Sequence, residues 1–581
     1  MRVAPLTESI VKFGPNVKNK PDFFSYYKSI WIMILSSASL LMCLFYYYQN
    51  KKRIKLYPIL IPLGVYFICV LLSTTYSRYK DIAVWGYTHR FEGFIVITCY
   101  IVICFLAATF ITYQSDIKIL FSVLICCSSI LGLLGVSQFF GFDFLQTQLG
   151  KLLILPEQYH HIASEIAFNF PINYIYLTLY NPNYVGSFCA MLFPVSLLLV
   201  IYAKKHLHTL FAIIFSCLIF VNLLGCRSST GYIAAGIALI TAVILLRSHF
   251  FKTWRSLLVL LACYLVLFVF MNYTSGGVLS AEFSSLNLDS VYDKEQVEKR
   301  SADIEHRSSN IITDVYFNGN ILEIHVNKKP LFIYYDKVNK QCVFKDSQNN
   351  TIELKYSSEN EVVYSFDDIQ YADLSFIVSG AIIEFTAPNF ELNVAISVAE
   401  DCFKLVNSKG QVVDVKNAEF IGFEGKERWL SSRGFIWSRS LPMIKDTMFI
   451  GHGPDTYALF FPQDDVSGKI KAYGMPYIAV DNPHNMYLQM AINTGLLSFI
   501  AFLIFVCWFI IEAIRLYFKP KNNNLYSKVG IGCMLAVIGF LVAGLANDST
   551  ISVSPVFWIV IGTGISCNRL YSQQINKLNS K

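Results

Sequence analysis

Apolar runs of 16 to 26 residues, free of charge, recur along this chain and are joined by short polar connections. They cover 29–48, 57–76, 94–113, 119–140, 184–203, 209–225, 231–246, 256–272, 486–511, 529–546 and 551–566. A hydrocarbon core roughly 30 Å thick takes about 20 such residues in a helix. The pattern therefore predicts an all-α polytopic membrane bundle of eleven spans, eight within 29–272 and three within 486–567. Between the two groups the pattern changes. From Ser280 to about Leu430 apolar and polar residues alternate with period two, as in "NILEIHVNKKPLFIYYD" (320–336) and "LNVAISVAEDCFKLVNSKGQVVDVKN" (392–417). Asn318-Gly319, Gln348-Asn349-Asn350 and Ser408-Lys409-Gly410 interrupt it, which predicts β-hairpins. An inserted, mainly-β domain at 273–431, a sandwich or meander, is expected, with Asp289–Asn310 as a helical or loose linker. No internal repeat is visible.

Composition agrees: 54% of the 581 residues are hydrophobic, 15% are charged and mean hydropathy is +0.47, outside the range of an ordinary soluble domain. Thirteen of the fifteen cysteines lie in or beside apolar runs and only Cys342 and Cys402 in polar sequence, which is neither a disulfide framework nor a zinc pattern. The first apolar run is as long as a genuine span, so it is expected to stay as an anchor. The net charge of +7 is scattered through short loops, which argues against a nucleic-acid partner.

Lysine and arginine collect on the cytoplasmic side of a bilayer. "NKKRIK" (50–55), "AKKHLH" (203–208), "RSHFFKTWR" (247–255), "RLYFKPKNNNLYSK" (515–528) and the tail 568–581 are thereby placed inside the cell. Strict alternation fits all five and puts the insert, a following loop at 432–485 and the segment 1–28 outside. Basic residues in 1–28 conflict with that placement, which leads us to expect one more apolar span encoded upstream of residue 1.

Four polar islands then share the external side: "WGYTHRFEG" (85–93), "NPNYVG" (181–186), "GCRSSTG" (225–231), and 432–457 together with "DNPHNMYLQ" (481–489). Converging arginines suit an anionic group, since the guanidinium fork binds phosphate oxygens in pairs and keeps its charge. Arg227, between two apolar runs, reads equally as such a ligand or as an interfacial residue on lipid headgroups. Arg90 is explained as well by an ion pair with Glu92; Arg433 and Arg439 equally cap or clamp a re-entrant helix. His484 follows Asn482-Pro483, which predicts Asn482 as N-cap and His484 in the first helical turn, where a neutral imidazole able to take a proton is favoured. The alternative is a histidine that only sits at the interface. His452, in Gly-His-Gly-Pro, is a second candidate base or part of a tight turn. No clustered carboxylates suggest a metal; Asp464-Asp465 and Glu427 are the nearest approach to one.

The islands in order are Arg-x-Glu-Gly, Asn-Pro-Asn-Tyr-x-Gly, Arg-Ser-Ser, Arg-Gly-x-Ile-Trp, Gly-His-Gly-Pro-Asp-Thr-Tyr and Pro-His-Asn-x-Tyr-Leu-Gln. Together they resemble the O-antigen ligase and polymerase family of membrane glycosyltransferases, over about 57–566 and skipping the β insert. The resemblance implies a polytopic enzyme, commonly of twelve spans, with a large external loop before its last helices. It also implies a polyprenyl diphosphate-linked glycan as donor, a glycan, lipid or protein acceptor, and neither metal, nucleotide sugar nor other cofactor. Arg227 and Arg433 match the arginines expected to hold the donor diphosphate, and His484 the histidine expected to activate the acceptor hydroxyl. Arg90, Arg439 and His452 stand behind them. Two other classes compete: a lipid-linked oligosaccharide flippase, which predicts charges inside the spans, and a membrane scaffold acting through its β domain.

Overall fold

The computed structural model describes residues 24–50, 57–88, 90–155, 157–165, 170–285, 312–518 and 524–579. Within 312–518 the turn positions 337, 338, 340, 359–361, 380, 381, 389, 398–401, 408–410 and 414 are excepted. Residues 1–23, the linker Asp289–Asn310, the turn Ser408–Gly410 and parts of the basic loops near 50 and 520 therefore lie outside the described residues.

The first helical group comprises α1 (Tyr26–Gln49), α2 (Ile61–Tyr76), short α3 (Lys80–Trp85), α4 (Phe94–Phe110), α5 (Gln114–Phe139) and α6 (Gln148–Ile154). It continues with α7 (Pro182–Tyr202), α8 (His206–Gly225), α9 (Ser229–Lys252), α10 (Trp254–Thr274) and α11 (Val278–Ser285). Helices α12 (Trp429–Met443), α13 (Tyr457–Phe460), α14 (Val466–Tyr473) and α15 (Met486–Asn493) form the loop region. Helices α16 (Leu496–Tyr517), α17 (Leu525–Ala543) and α18 (Ser554–Asn579) complete the chain. Nine helices among the described residues are long and apolar enough to cross a membrane; α4, apolar but of 17 residues, is shorter. The chain is a multi-pass membrane protein. Helix α7 is buried along almost its whole length, whereas α1, α5 and α10 turn apolar surface outward, as helices facing lipid must. Small residues let the central helices touch: a Cβ on Gly231 of α9 would meet Gly186 Cα of α7 at 2.7 Å, and one on Gly539 of α17 would meet Ala190 O at 2.3 Å.

The expected span 486–511 is not one helix. Gly495, at φ +102°, breaks it, so that α15 ends at Asn493 and the apolar helix begins at Leu496. The break lets residues 449–453 run against α15: the His452 and Gly453 amides donate to Ile492 O (3.1 Å) and Asn493 O (2.8 Å).

The insert forms a four-stranded antiparallel sheet β1–β4, β1 (Ile312–Asn318), β2 (Ile321–Val326), β3 (Lys329–Asp336) and β4 (Gln341–Lys345). A seven-stranded one follows: β5 (Leu354–Ser358), β6 (Val362–Phe366), β7 (Ser375–Ser379), β8 (Ile382–Ala387), β9 (Phe390–Ser397), β10 (Cys402–Val406) and β11 (Val412–Val413). Every strand pairs with its sequence neighbour within its sheet, so both are meanders. The alternating strands turn Leu322, Ile324, Leu331, Ile333, Phe385, Leu392 and Val394 into one shared core. Asn318-Gly319 closes a hairpin as expected, while Gln348-Asn349-Asn350 carries the chain from one sheet to the other. Val466 and Ile470 of α14 complete that core, Lys471 Nζ pairs with Asp314 at 3.0 Å, and Tyr477 Oη donates to Val406 O at 2.9 Å. The β region is thus fixed to the loop that leads to His484.

Candidate functional site

The polar islands meet at one end of the bundle. Asp455, in left-handed backbone at φ +60° and almost wholly buried, accepts from Tyr87 N (2.6 Å), Arg90 Nε (2.7 Å) and Glu92 N (3.3 Å). It joins the loop before α4 to the Gly-His-Gly-Pro-Asp segment. Arg90 also donates Nη2 to Asp481 O at 3.0 Å, and its Nη1 lies 3.6 Å from Asp481 Oδ2. The Arg90–Glu92 pair considered from the sequence does not form, because the buried Asp455 and the half-exposed Asp481 take the guanidinium. Glu92 accepts instead from Tyr100 Oη and Ser549 Oγ, both at 2.9 Å. Burial first, and the neighbouring Asp455 second, push its carboxyl up to about 8.

His484 is held by its neighbours rather than by a helix. Asn485, not Asn482, is the N-cap of α15: its Oδ1 accepts from Tyr487 N (2.9 Å) and Leu488 N (3.1 Å). His484 stands before that cap in left-handed backbone at φ +47°, so it lies outside the first turn. Three contacts impose this. Trp437 Nε1 donates to Pro483 O at 2.8 Å, Asn485 Nδ2 to Leu545 O at 2.8 Å, and Met486 N to Gly544 O and Asn547 O, each at 2.9 Å. A non-glycine residue at positive φ is costly by roughly 1–3 kcal/mol and persists where surroundings over-determine it. His484, Asp455 and Arg227 (φ +50°) all have this conformation.

The ring so placed puts Nδ1 3.3 Å from Oδ2 of Asp548, a fully buried carboxylate. The four-residue connection 547–550 that carries Asp548 is clamped on both sides. Ser549 N donates to Gln489 Oε1 (2.8 Å), and Asn547 Nδ2 donates to Ser187 Oγ (2.9 Å) and Asn183 O (3.3 Å). Asp548 carries no distinguishing signal in the sequence, where it is one acid in "NDST" between two apolar runs. Asp455, Asp481, Gln489 and Ser549 likewise carry no distinguishing signal in the sequence, although three of the four lie inside the motifs quoted above.

Arg433 follows three residues in left-handed backbone, Leu430, Ser431 and Ser432. Its Nη1 donates to Leu430 O at 2.9 Å, and the group lies within electrostatic reach of Asp548. Burial holds its guanidinium below the ordinary value, with Asp548 and Tyr473 opposing. Arg227 donates Nη2 to Asn173 O (3.0 Å) and stacks over Tyr174 at 5.3 Å. The next residue, Ser228, donates to Asn183 Oδ1 at 3.0 Å, and Asn183 O in turn receives Asn547. Arg227 is thereby linked through two residues to the loop of Asp548. Among the described residues, the Nε atoms of both Arg227 and Arg433 are buried without a hydrogen-bond partner.

Arg439 and His452 stand apart. Arg439 Nε pairs with Asp465 Oδ2 at 2.8 Å and its guanidinium lies over Phe435, tying α12 to α14. His452 stacks on Phe460 with ring centroids 3.8 Å apart. Asp465 caps α14 through Gly468 N, and among the described residues no cluster of three His, Cys, Asp or Glu side chains could hold a metal ion.

A family model described as O-antigen ligase matches residues 374–503. The match begins inside the β region, so it takes in β7 to β11 as well as Arg433, Asp455 and His484. No curated protein and no solved structure matches the chain. With its apolar helices and this segment, the chain is an O-antigen ligase-like membrane protein, similar to the family that its short motifs resemble.

Proposed function

We propose that this protein is an integral-membrane glycosyltransferase that transfers or polymerises a polyprenyl diphosphate-linked glycan at the outer face of the cytoplasmic membrane. The observation that carries the reading is the His484–Asp548 pair, in electrostatic reach of Arg433, with His484 and Arg433 both inside the O-antigen ligase match. With Nδ1–H directed at Asp548, the other ring nitrogen, Nε2, is the acceptor for a proton. It takes the proton of the acceptor sugar's hydroxyl while that oxygen attacks the anomeric carbon of the donor. The bond from that carbon to the diphosphate oxygen breaks, and the electron pair leaves with polyprenyl diphosphate. Asp548 supplies the counter-charge to the imidazolium. A direct displacement of this kind inverts the anomeric carbon.

Charge develops on the leaving diphosphate, and fixed cations there lower the barrier without rearranging. Arg227 and Arg433 fill that role: each has a buried Nε with no hydrogen-bond partner among the described residues, whereas Arg90 is engaged by Asp455 and Asp481. Arg90 is a positioning residue, since it holds the 481–485 segment that carries His484.

The basic loops at the other end of the helices support the external side. The test is cysteine labelling: an introduced cysteine at Asn183, beside the site, should react with an impermeant maleimide in intact cells, and one at Lys204 only after lysis. The reverse pattern would place the site in the cytoplasm.

A further inference from the structure

The helices that carry the polar cluster at one end enclose a second feature at the other. Helix α7 starts beside Asn547 and ends at Tyr202; α8 runs from His206 towards Arg227; α17 runs from Leu525 towards Asp548. Between the Tyr202, His206 and Leu525 ends lies a cavity of about 500 Å³. Its walls are apolar, with Leu198, Phe211, Phe215 and Val529 among them, and they open outward between α5, α7, α8 and α17. His208 and Lys528 line it and no carboxylate does.

The charge along the cavity wall itself is basic. Lys528 Nζ sits over the Tyr202 ring at 4.8 Å, and Lys204 lies close enough to repel it. His249 packs its ring on Tyr202 at 5.4 Å and is exposed to the charges of Lys252 and Lys528. Among the described residues neither Lys204 nor Lys528 has an ion pair. The first turn of α8 also has no side-chain cap at Lys205, so its amides face the same end with their partial positive charge. Like charges held together beside an apolar slot are unfavourable unless an anion with an apolar body covers them.

We infer that this cavity is a binding site for an anionic glycerophospholipid of the cytoplasmic leaflet, with acyl chain between α8 and α17 and phosphate against Lys204 and Lys528. The volume is that of a ligand pocket, roughly 300–1,000 Å³, and basic pockets between spans on the cytoplasmic side are suited to anionic headgroups. The occupant is a bilayer lipid, because the apolar slot opens outward between α5, α7, α8 and α17, at the helix ends opposite the polar cluster. Occupancy braces α7, α8 and α17, the helices whose far ends bear Asn183, Arg227 and Asp548.

The experiment is lipid quantification on the full chain, purified from mixed phosphatidylglycerol and phosphatidylcholine, by native mass spectrometry. Phosphatidylglycerol should be retained at roughly tenfold or more above its bulk proportion. Lys204→Gln and Lys528→Gln should each lower that enrichment about fivefold, while their unfolding midpoints in pure phosphatidylcholine stay at the wild-type value. Retention in the bulk ratio by the wild type overturns the proposal, as does undiminished enrichment in both variants. Displacement of the lipid by equimolar polyprenyl phosphate also overturns it, by assigning the cavity to the donor's carrier. These outcomes are read without turnover, so they stand or fall apart from the transferase reading.

Discussion

Asp548 turns His484 from an interfacial side chain into a candidate base, because a carboxylate 3.3 Å from Nδ1 compensates the charge formed on protonation. His484→Ala is expected to lower kcat by roughly 10²–10⁴. Asp548→Asn, which keeps the shape, should lower it by a similar order with little change in KM for the acceptor. Steady-state transfer assays check both. Arg90 and Asp455 are buried partners at 2.7 Å, so removing either leaves an uncompensated charge. Arg90→Ala or Asp455→Ala should each cost about 3–5 kcal/mol in chemical unfolding, and the double variant less than their sum. Glu92 gives a pH signature. Its carboxyl is pushed up to about 8 in the folded protein and lies near its ordinary value, about 4.3, when unfolded. The unfolded chain therefore binds fewer protons between those values, and stability falls as pH rises through that window, by up to about 1.4 kcal/mol per pH unit. Glu92→Gln should flatten the dependence of the unfolding midpoint between pH 5 and 8. An unchanged slope would mean that Glu92 is ionised in the fold. Of these residues His484, Arg90 and Arg433 were legible in the sequence, since each sits in a conspicuous polar motif at a helix end. Asp548 was not, because its meaning lies in a contact across 64 residues of chain.

At the scale of elements, apolar length was easy to read and helix ends were not. The run 486–511 is unbroken in composition, yet Gly495 divides it because residues 449–453 must pass close to α15. Gly495→Ala should destabilise by about 1 kcal/mol or more through its positive φ alone, with Gly451 N and Phe449 O already 3.0 Å from the new Cβ. Thermal unfolding beside a Gly64→Ala control, where nothing lies within 4 Å, measures it. The sequence Asn482-Pro-His-Asn485 offers two caps three residues apart, and local rules favour the first because proline suits the first helical position. Tertiary hydrogen bonds to Pro483, Asn485 and Met486 select the second, and with it the left-handed His484. The β-strands were legible for the opposite reason. Their period-two pattern is local, and the two meanders pair only sequence neighbours, so no long-range pairing had to be guessed.

For the whole molecule, one end of the bundle gathers buried acids, arginines and a histidine, and the other has Lys204 and Lys528, without an ion pair among the described residues, an asymmetry that suits the one-sided chemistry proposed above. The β region is joined to the chemical end through Val466, Ile470, Lys471 and Tyr477, and the O-antigen ligase match crosses that junction. The central claim is that His484, Arg227 and Arg433 perform metal-free glycan transfer. The direct measurement uses purified protein in nanodiscs with a polyprenyl diphosphate-linked oligosaccharide and membrane-extracted acceptors, in chelator-treated buffer. Wild type is compared with His484→Ala, Arg227→Ala and Arg433→Ala at matched unfolding midpoints. The account predicts product with the wild type, a loss of roughly a hundredfold or more with His484→Ala, and a large loss with each arginine variant. Wild-type turnover in all three variants would contradict it and leave the cluster a structural one.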